Sequence, residues 1–336
     1  MTDLLDITIP LAQAFDTAIC DLDGVVYAAS KPIEAAANSI ESASASGLGF
    51  VYLTNNASRT PAQVAAKLAG FAVNATANQV VTAAETAVEQ MAADLPKHSK
   101  VLVVGADGLI EAVKAAHLVP VSRAEQQPAA VIQGWGPDID WQKLAQAAYA
   151  IAGGASYYAT NLDKTLPTEQ GLAPGNGSLV AALVSATGVE PKASGKPNPS
   201  VFHLAARRAQ AKNPLVIGDR LDTDLAGARA AGYPGLMVLT GVSTLAQVCL
   251  TPPAWRPSLL GSNLGALLET HPAPVFNDQR WLLTDSAAWF DPANQSVQVK
   301  VGSNLDHAIR CLVQASWQAV DNGAQLVTSD LPQRWW

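Results

Sequence analysis

The 336-residue sequence has little of what marks several classes of protein. Only 15% of its residues are charged, its net charge is −7, and lysine and arginine form no run along it. Proteins that bind nucleic acid neutralise a dense negative charge with clustered basic side chains. We therefore expect no nucleic acid partner.

Long apolar runs are also missing. A membrane span needs about 20 consecutive apolar residues, and no stretch of this sequence comes close to that requirement. Residues 1–6 lack the basic flank and apolar core of a secretory signal. The three cysteines are far apart in sequence and form no metal-like pair. We expect a cytoplasmic protein without a membrane partner.

Core material, in contrast, is ample. Hydrophobic residues make up 49% of the chain, whose length suffices for two domains and a small third piece. The pattern predicts strands over 16–26 and 50–53, and helices over 31–47 and from Pro61 onward. This alternation predicts a doubly wound parallel sheet, in which ligands lie beyond the carboxyl ends of the strands.

One apolar run carries two aspartates directly into a glycine. Residues 18–26 read Ala-Ile-Cys-Asp-Leu-Asp-Gly-Val-Val, so Asp21 and Asp23 both lie at the end of the first strand. Two carboxylates so near each other repel, and a cation or a shared proton must compensate their negative charge. The pair fits a phosphoryl-transfer site with a nucleophile, an acid/base and a hard cation. The same residues also fit a calcium loop or a turn.

Polar residues follow other strands as well. Thr54, Asn55 and Asn56 end the second strand, although such a triplet ordinarily forms a turn. A later strand over 214–219 ends in an acid, and Tyr233 opens a further strand that runs to 240. The candidate residues in these later stretches are Lys196, Asp219, Asp222 and Asp224. Lys196 could equally be a solvated loop lysine, and the pair at 222 and 224 could cap a helix.

Between these halves the sequence contains a second α/β pattern, over about 83–184. Strands are predicted over 100–105, 129–134 and 156–160, with a helix from Asp140 to 151. The block could continue one large sheet or form an inserted domain. An insertion between two halves of one site is a cap that can close over substrate.

The composition changes again beyond about residue 270. Six of the eight tryptophans lie after residue 254. The pattern predicts strands over 280–284 and 296–301 and a helix over 304–321. We interpret this part as a separate C-terminal appendage.

Taken in order, the stretches around Asp21, Thr54, Lys196 and Asp219 resemble the four motifs of the haloacid dehalogenase-like superfamily. The resemblance covers about residues 15–265. It implies an α/β fold with a Rossmann-like core over 1–83 and 185–268, an inserted α/β cap over 84–184, and a C-terminal α+β extension over 269–336.

The resemblance also implies catalytic roles. Asp21 would attack phosphorus to give an aspartyl-phosphate, and Asp23 would protonate the leaving alcohol and then deprotonate water. The phosphate-binding groups would be Thr54, Asn55, Asn56 and Lys196.

The implied cofactor is Mg²⁺. By resemblance its ligands are Asp21, the backbone carbonyl of Asp23, and Asp219, and this sparse set suits an ion that keeps several waters. Asp224, and with it Asp222, would orient these ligands.

The position of the insertion, after Thr54, resembles the nitrophenyl-phosphatase, phosphoglycolate-phosphatase and pyridoxal-phosphate-phosphatase branch. Residues 159–163 and 174–180 resemble the cap signature of that branch, which implies that Asn161 and Asp163 bind substrate. Gly175 and Gly177 do not complete a dinucleotide fingerprint, because the third glycine is missing.

The cap has few cations, which favours a small phosphomonoester with hydroxyls over a polyphosphate. The C-terminal extension resembles that of actinobacterial members, some of which hydrolyse glycerol 3-phosphate, and we take this as the first expectation. Alternatives are a broad-range phosphatase acting on phosphoglycolate, nitrophenyl phosphate, nucleoside monophosphates or pyridoxal phosphate, and a non-catalytic binding or regulatory protein whose tail is the working part. Caps of this branch commonly mediate dimers, so the resemblance implies a homodimer.

Overall fold

The computed structural model describes residues 4–168, 170–326 and 331. The chain folds into two compact units. The first unit combines Met1–Phe50 with Ala209–Trp336, and the second is Val51–Arg208.

The elements are numbered in chain order. The strands are β1 (Thr17–Cys20), β2 (Tyr27–Ala28), β3 (Lys31–Pro32), β4 (Gly49–Thr54), β5 (Val80–Thr82), β6 (Lys100–Val104), β7 (Val119–Val121), β8 (Ala130–Gln133), β9 (Ser156–Ala159), β10 (Thr165–Thr168), β11 (Gly171–Pro174), β12 (Lys192–Ala193), β13 (Pro214–Gly218), β14 (Gly235–Val238), β15 (Leu259–Gly261), β16 (Val275–Asn277), β17 (Arg280–Leu283), β18 (Ser286–Asp291) and β19 (Ser296–Lys300). The helices are α1 (Leu11–Ala14), α2 (Ala36–Ala45), α3 (Pro61–Ala69), α4 (Ala83–Asp94), α5 (Asp107–Ala115), α6 (Trp141–Ala152), α7 (Asn176–Thr187), α8 (Pro199–Ala209), α9 (Ala226–Ala230), α10 (Leu245–Leu250) and α11 (Leu305–Asp321).

A parallel sheet forms the centre of the first unit. Its strands lie in the order β15-β14-β13-β1, and β4 begins on the other side of β1. Ala18, Ile19 and Cys20 are all buried, as expected of a strand covered on both faces. The predicted doubly wound parallel fold is confirmed.

Two predicted boundaries in this region are wrong. The strand predicted over 16–26 ends at Cys20, because the amides of Val25, Val26 and Tyr27 all turn back to the carbonyl of Leu22. The helix predicted over 31–47 begins only at Ala36, because the short β2–β3 hairpin precedes it.

The second unit contains β4 and β5, which pair in parallel, and a separate parallel sheet with the order β12-β9-β8-β6-β7. The predicted strands over 100–105, 129–134 and 156–160 are confirmed as β6, β8 and β9. Asp140 caps α6 by accepting a hydrogen bond from the amide of Lys143, so the predicted helix start is confirmed. The domain boundaries expected from the sequence stay a prediction.

The C-terminal part of the first unit is an antiparallel sheet, β16-β17-β18-β19, packed against α11. The sequence pattern predicts β17, β19 and α11 but not β16 or β18. Strand β18 opens with Ser286-Ala287-Ala288, and these small residues carry little strand propensity. The end of the predicted extension, from residue 332 and including Trp335 and Trp336, lies outside the described residues.

This C-terminal part shares a hydrophobic core with the parallel sheet. The middle of α11 is buried throughout, from Ala308 to Trp317, which is unusual for a surface appendage. One cluster joins side chains of α11 and β17 to Met237 of β14, Leu260 of β15 and Val248 of α10. The predicted appendage is therefore packed into the first unit.

An ion pair reinforces this junction. Arg256 is 2% exposed, and its two terminal nitrogens donate to the two carboxylate oxygens of Asp321 at the end of α11, both at 2.7 Å. Its guanidinium carbon lies 4.9 Å from the ring centroid of Trp317. A bidentate pair with a buried partner fixes the C-terminal end of α11.

None of the helices in the described ranges combines the length and the apolar character needed to cross a membrane.

We expect acid to destabilise the protein through His271. Burial, with the nearby charge of Arg310, lowers the pKa of His271 from 6.5 to about 4. Below pH 6.5 His271 binds a proton in the unfolded chain but stays neutral in the folded chain. The free energy of unfolding therefore falls as the pH falls toward 4, by about 3 kcal/mol at most. Urea unfolding of wild type and His271→Gln at pH 7.5 and 4.5 measures this: the variant should lose less stability on acidification. His98→Gln, at an exposed position, is the control, and equal losses in all three proteins would contradict the assignment.

Candidate active site

Three carboxylates converge in the first unit. One oxygen each from Asp21, Asp219 and Asp224 lies within 4.8 Å of the others, and all three residues are buried. Asp21 directly follows β1, and Asp219 directly follows the neighbouring strand β13. The carboxyl ends of two adjacent parallel strands therefore bring together acids almost two hundred residues apart in sequence.

A tight turn after β1 determines where the first two acids point. The amide of Asp21 donates to the carbonyl of Ile217 (2.9 Å) and so continues the pairing with β13. Leu22 is fully buried, whereas Asp23 is exposed and accepts a hydrogen bond from the Tyr27 hydroxyl at 3.4 Å. Gly24 has φ +88°, and a Cβ there would lie 2.4 Å from Asp219 Oδ2. Only glycine permits this close approach of the turn to the acid.

A loop that no sequence motif indicates holds Asp219. The Val242 amide donates to Asp219 Oδ2 at 2.6 Å, and the Ser243 amide donates to the Asp219 carbonyl at 3.1 Å. The Thr240 hydroxyl donates to the carbonyl of Gly24 at 2.6 Å, which ties this loop to the turn after β1. We name residues 240–243 the Asp219 loop. It follows β14, so the rule that ligands gather at strand ends could have pointed to it.

The structure separates the two acids predicted to support the metal. Asp224 is buried in the π-type turn Leu221–Leu225 and accepts a hydrogen bond from the Arg220 amide at 3.2 Å. Asp222 is exposed and pairs with the Arg220 guanidinium at 2.8 and 3.0 Å. The partly buried position of this carboxylate favours a higher pKa. The hydrogen bonds and the charge of Arg220 have the larger combined effect and hold the pKa of Asp222 below its usual value. Asp224, and not Asp222, joins Asp21 and Asp219.

The donor set of the cluster fits a hard divalent cation. Three buried carboxylates in mutual reach repel one another strongly unless a cation or shared protons compensate them. Oxygen donors of this kind are preferred by Mg²⁺, which binds through one or two carboxylates and keeps its other positions for water or phosphate oxygen. Asp21, Asp219 and Asp224 could therefore hold such an ion or orient its ligands.

The other predicted site residues lie in the second unit. Thr54 is buried at the end of β4, and its hydroxyl accepts a hydrogen bond from the Asn56 amide at 3.1 Å. The Asn56 side chain in turn accepts from the amide and the hydroxyl of Ser58, at 2.8 and 2.7 Å. These bonds fix a turn after the strand in which the backbone groups of residues 54–56 are presented in one arrangement.

Asn55 is the centre of this second group. Its Oδ1 accepts from the amide of Lys196 (2.9 Å), and its Nδ2 donates to the carbonyl of Lys196 (3.2 Å) and to Asp163 Oδ2 (3.0 Å). Its own carbonyl accepts from Asn161 Nδ2 at 2.7 Å. One side-chain amide therefore joins the turn after β4 to the Lys196 loop and to the loop after β9.

Glycines let these loops approach closely. A Cβ on Gly195 would lie 2.5 Å from the carbonyl oxygen of Thr160, and one on Gly177 would lie 2.2 Å from that of Leu162. Asn176, at the start of α7, donates from Nδ2 to the carbonyl of Asn161 at 2.7 Å. The segment 174–177 thus supports the loop that carries Asn161 and Asp163, a structural use of its glycines.

We expect Asn55→Ala to lower kcat by about 10- to 100-fold, because it leaves the backbone of the buried Lys196 without the two hydrogen bonds that position it. Steady-state kinetics with thermal unfolding as a check on folding measure the effect. The exposed Asn78→Ala, in the same unit, is the control. A folded Asn55→Ala variant with wild-type kcat would contradict the positioning role.

Comparison with known proteins agrees with this geometry. The haloacid dehalogenase-like hydrolase family matches residues 18–119, and a second HAD-hydrolase-like family matches residues 193–267. The chain is 44% identical over 257 residues to the D-glycerol 3-phosphate phosphatase of Mycobacterium tuberculosis. This alignment covers 76% of this chain and 72% of that protein. It is 36% identical to a 5′-nucleotidase of Bacillus subtilis, over 67% of this chain and 87% of the relative.

Solved structures give the same result. The glycerol phosphate phosphatase of Mycobacterium tuberculosis in complex with magnesium has a TM-score of 0.84 and 39% identity, with 93% of each chain covered. The p-nitrophenyl phosphatase of Archaeoglobus fulgidus has a TM-score of 0.70 and 27% identity, covering 76% of this chain and 98% of that one. The resemblance recognised in four short motifs thus extends through both units and the C-terminal part. This protein belongs to the haloacid dehalogenase-like hydrolases.

Proposed function

We propose that the protein is a Mg²⁺-dependent phosphomonoester hydrolase whose substrate is glycerol 3-phosphate. The observation that carries the reaction type is the buried cluster of Asp21, Asp219 and Asp224 at the ends of two adjacent strands. The substrate is supported by the 44% identity to a D-glycerol 3-phosphate phosphatase and by a TM-score of 0.84 to a glycerol phosphate phosphatase.

In the proposed reaction a carboxylate oxygen of Asp21 attacks phosphorus, and the bond between phosphorus and the glycerol oxygen breaks. Asp23, which is exposed and hydrogen-bonded to the Tyr27 hydroxyl, donates its proton to the departing glycerol oxygen. Asp23 then takes a proton from the water that attacks the aspartyl-phosphate. Hydrolysis releases phosphate and restores the carboxylate of Asp21 and the protonated carboxyl group of Asp23.

The remaining predicted residues bind rather than react. Thr54, the amide of Asn55, Asn56 and Lys196 would bind the phosphate oxygens, and the lysine would offset their negative charge. Mg²⁺, when bound by Asp21, Asp219 and the Asp23 carbonyl, would withdraw charge from the phosphoryl group. Asp224 would orient these ligands, while Asp222 is committed to Arg220.

Asn161 and Asp163 would bind the hydroxyls of the substrate. Their loop is fixed by Asn55 and Asn176, which lowers the entropy lost when a small polyol binds. The predicted cap, residues 84–184, has few cations, which favours a compact monoester over a polyphosphate.

A second candidate is a broad-range phosphatase. Two relatives favour it: a 5′-nucleotidase, which is 36% identical, and an acid sugar phosphatase of Staphylococcus aureus, which is 33% identical. Such an enzyme would act on phosphoglycolate, nitrophenyl phosphate, nucleoside monophosphates or pyridoxal phosphate with similar efficiency.

A panel of a few dozen phosphomonoesters, assayed by phosphate release with and without Mg²⁺, distinguishes the candidates. We expect the highest kcat/KM for glycerol 3-phosphate, by about 10-fold or more, since each correctly matched hydroxyl contributes about 1 kcal/mol or more. Chelation of the metal should remove the activity. Similar kcat/KM values across the panel would favour the broad-range enzyme, and full activity without a divalent ion would contradict the metal assignment.

The proposal also covers the domain organisation, the oligomeric state and the cellular location. We propose that residues 84–184 form the cap over a core of 1–83 and 185–268, with 269–336 as the extension. We further propose that the enzyme works as a homodimer in the cytoplasm, which size-exclusion chromatography with light scattering and cell fractionation would test.

A further inference from the structure

The C-terminal part of the first unit reaches the acidic cluster through a short series of contacts. The series begins at the Asp219 loop, residues 240–243, which donates two backbone hydrogen bonds to Asp219. The Ser243 hydroxyl also accepts from the amide of Leu221 at 3.1 Å. A Cβ on Gly241 would lie 1.9 Å from Asp219 Oδ2. The loop therefore contacts this acid so closely that a small displacement of the loop must move the carboxylate.

Helix α10 continues directly from this loop. Thr244 caps it, with its hydroxyl accepting from the Gln247 amide and its own amide donating to Gln247 Oε1. The capping box leaves no flexible link between loop and helix. A shift of α10 is thus transmitted to the Asp219 loop.

Helix α11 fixes α10 in turn. Leu245, Val248 and Cys249 of α10 are buried in the core cluster that α11 completes. The indole nitrogen of Trp317, in α11, donates to the carbonyl of Val248 at 2.8 Å. That carbonyl lies in the last turn of α10, where it also accepts a hydrogen bond from the amide of Thr251 at 3.3 Å. The guanidinium of Arg256 covers the ring of Trp317 and holds it in place.

We propose that the C-terminal part, residues 275–321, is a positioning element for the metal-binding cluster and that Trp317 is its main contact. By fixing α10 it holds the Asp219 loop against Asp219, and it thereby sets the affinity for Mg²⁺. This inference rests on the proposed function, because it takes the cluster of Asp21, Asp219 and Asp224 as the Mg²⁺ site. It gives the extension a role in the chemistry that its distance in sequence from the motifs does not suggest.

Trp317→Phe tests the proposal, because phenylalanine keeps most of the aromatic packing and removes the hydrogen bond to Val248. Partners that contact metal ligands directly contribute about 10- to 100-fold to metal affinity. Trp317 acts two steps further away, through α10 and the Asp219 loop, so we expect Mg²⁺ binding about 3- to 10-fold weaker. Isothermal titration calorimetry of the full chain with MgCl₂ measures this without turnover. The Mg²⁺ concentration for half-maximal activity should rise by the same factor, while KM for substrate at saturating Mg²⁺ stays near wild type.

Trp281→Phe is a matched control. Trp281 also belongs to the C-terminal part, and its indole nitrogen donates to Gln318 Oε1 on α11 at 2.9 Å, not to α10. It should lose stability without losing Mg²⁺ affinity. If both variants bind Mg²⁺ as wild type does, or if both lose the same affinity, the positioning role is refuted and the segment is only structural. If wild type itself binds no Mg²⁺, the proposed function fails instead.

Discussion

Asp21→Asn is expected to lower phosphate release from glycerol 3-phosphate by about 10⁴-fold or more, because an amide cannot replace the carboxylate that we propose attacks phosphorus. The substitution keeps the size and shape of the side chain. Without Mg²⁺ the variant should be at least as stable as wild type, since it removes one of three buried like charges that lie within 4.8 Å of one another. Steady-state kinetics and thermal unfolding in chelator together give both results.

Asp278→Asn is the control for this substitution, because Asp278 is exposed and lies in the β16–β17 turn of the same unit. It should retain wild-type activity and stability. Undiminished turnover by a folded Asp21→Asn protein would remove the aspartyl-phosphate mechanism. Loss of both activity and fold in that variant would show instead that Asp21 is structural.

Truncation after Leu268 is expected to prevent folding. The missing segment contains α11, whose removal exposes Val248, Met237 and Leu260 to water. Each large apolar side chain re-exposed costs about 1.5–3 kcal/mol, and Arg256 loses the partner of its buried charge, at about 3–5 kcal/mol. Together these costs come to about 8–14 kcal/mol, which is as large as the ~5–15 kcal/mol by which a typical domain is stable.

Circular dichroism and size-exclusion chromatography of the truncated chain measure the outcome. Asp321→Ala is the graded companion variant: it breaks only the pair with Arg256, so it should fold with a stability reduced by about 3–5 kcal/mol. A truncated chain that folds and hydrolyses phosphomonoesters normally would contradict the shared core. Activity that followed the extension instead of Asp21 would assign the function to the tail.

Much of this protein could be read from local patterns. Apolar runs that end in polar residues identified β1, β4 and β13, and their carboxyl ends identified Asp21, Thr54 and Asp219 as candidates. This works because a buried parallel strand needs an apolar run, and because the sheet collects the ends of its strands at one edge. Asp140 and Pro61 marked helix starts for equally local reasons.

Errors arose where a local pattern had two solutions. The run over 16–26 is apolar to its end, yet its second half is a turn that closes on the Leu22 carbonyl. Strand β18 opens with small residues that carry no strong preference, so its partners β17 and β19 determine its structure. Asp222 and Asp224 look equivalent in sequence, and only the π-type turn directs one inward and leaves the other to Arg220.

The sequence by itself determined the class of fold and the family, and it predicted the acids of the candidate site, because each of these depends on short motifs of residues close together in the chain. The tertiary structure alone decided what holds the candidate site residues in place: the Asp219 loop, the amide of Asn55 between two loops, and α11 buried behind α10. The physical reason is that a hydrogen bond or a packed side chain selects its partner by position in space. The positions of Trp317 and Val242 in the sequence do not indicate which distant residue each one contacts.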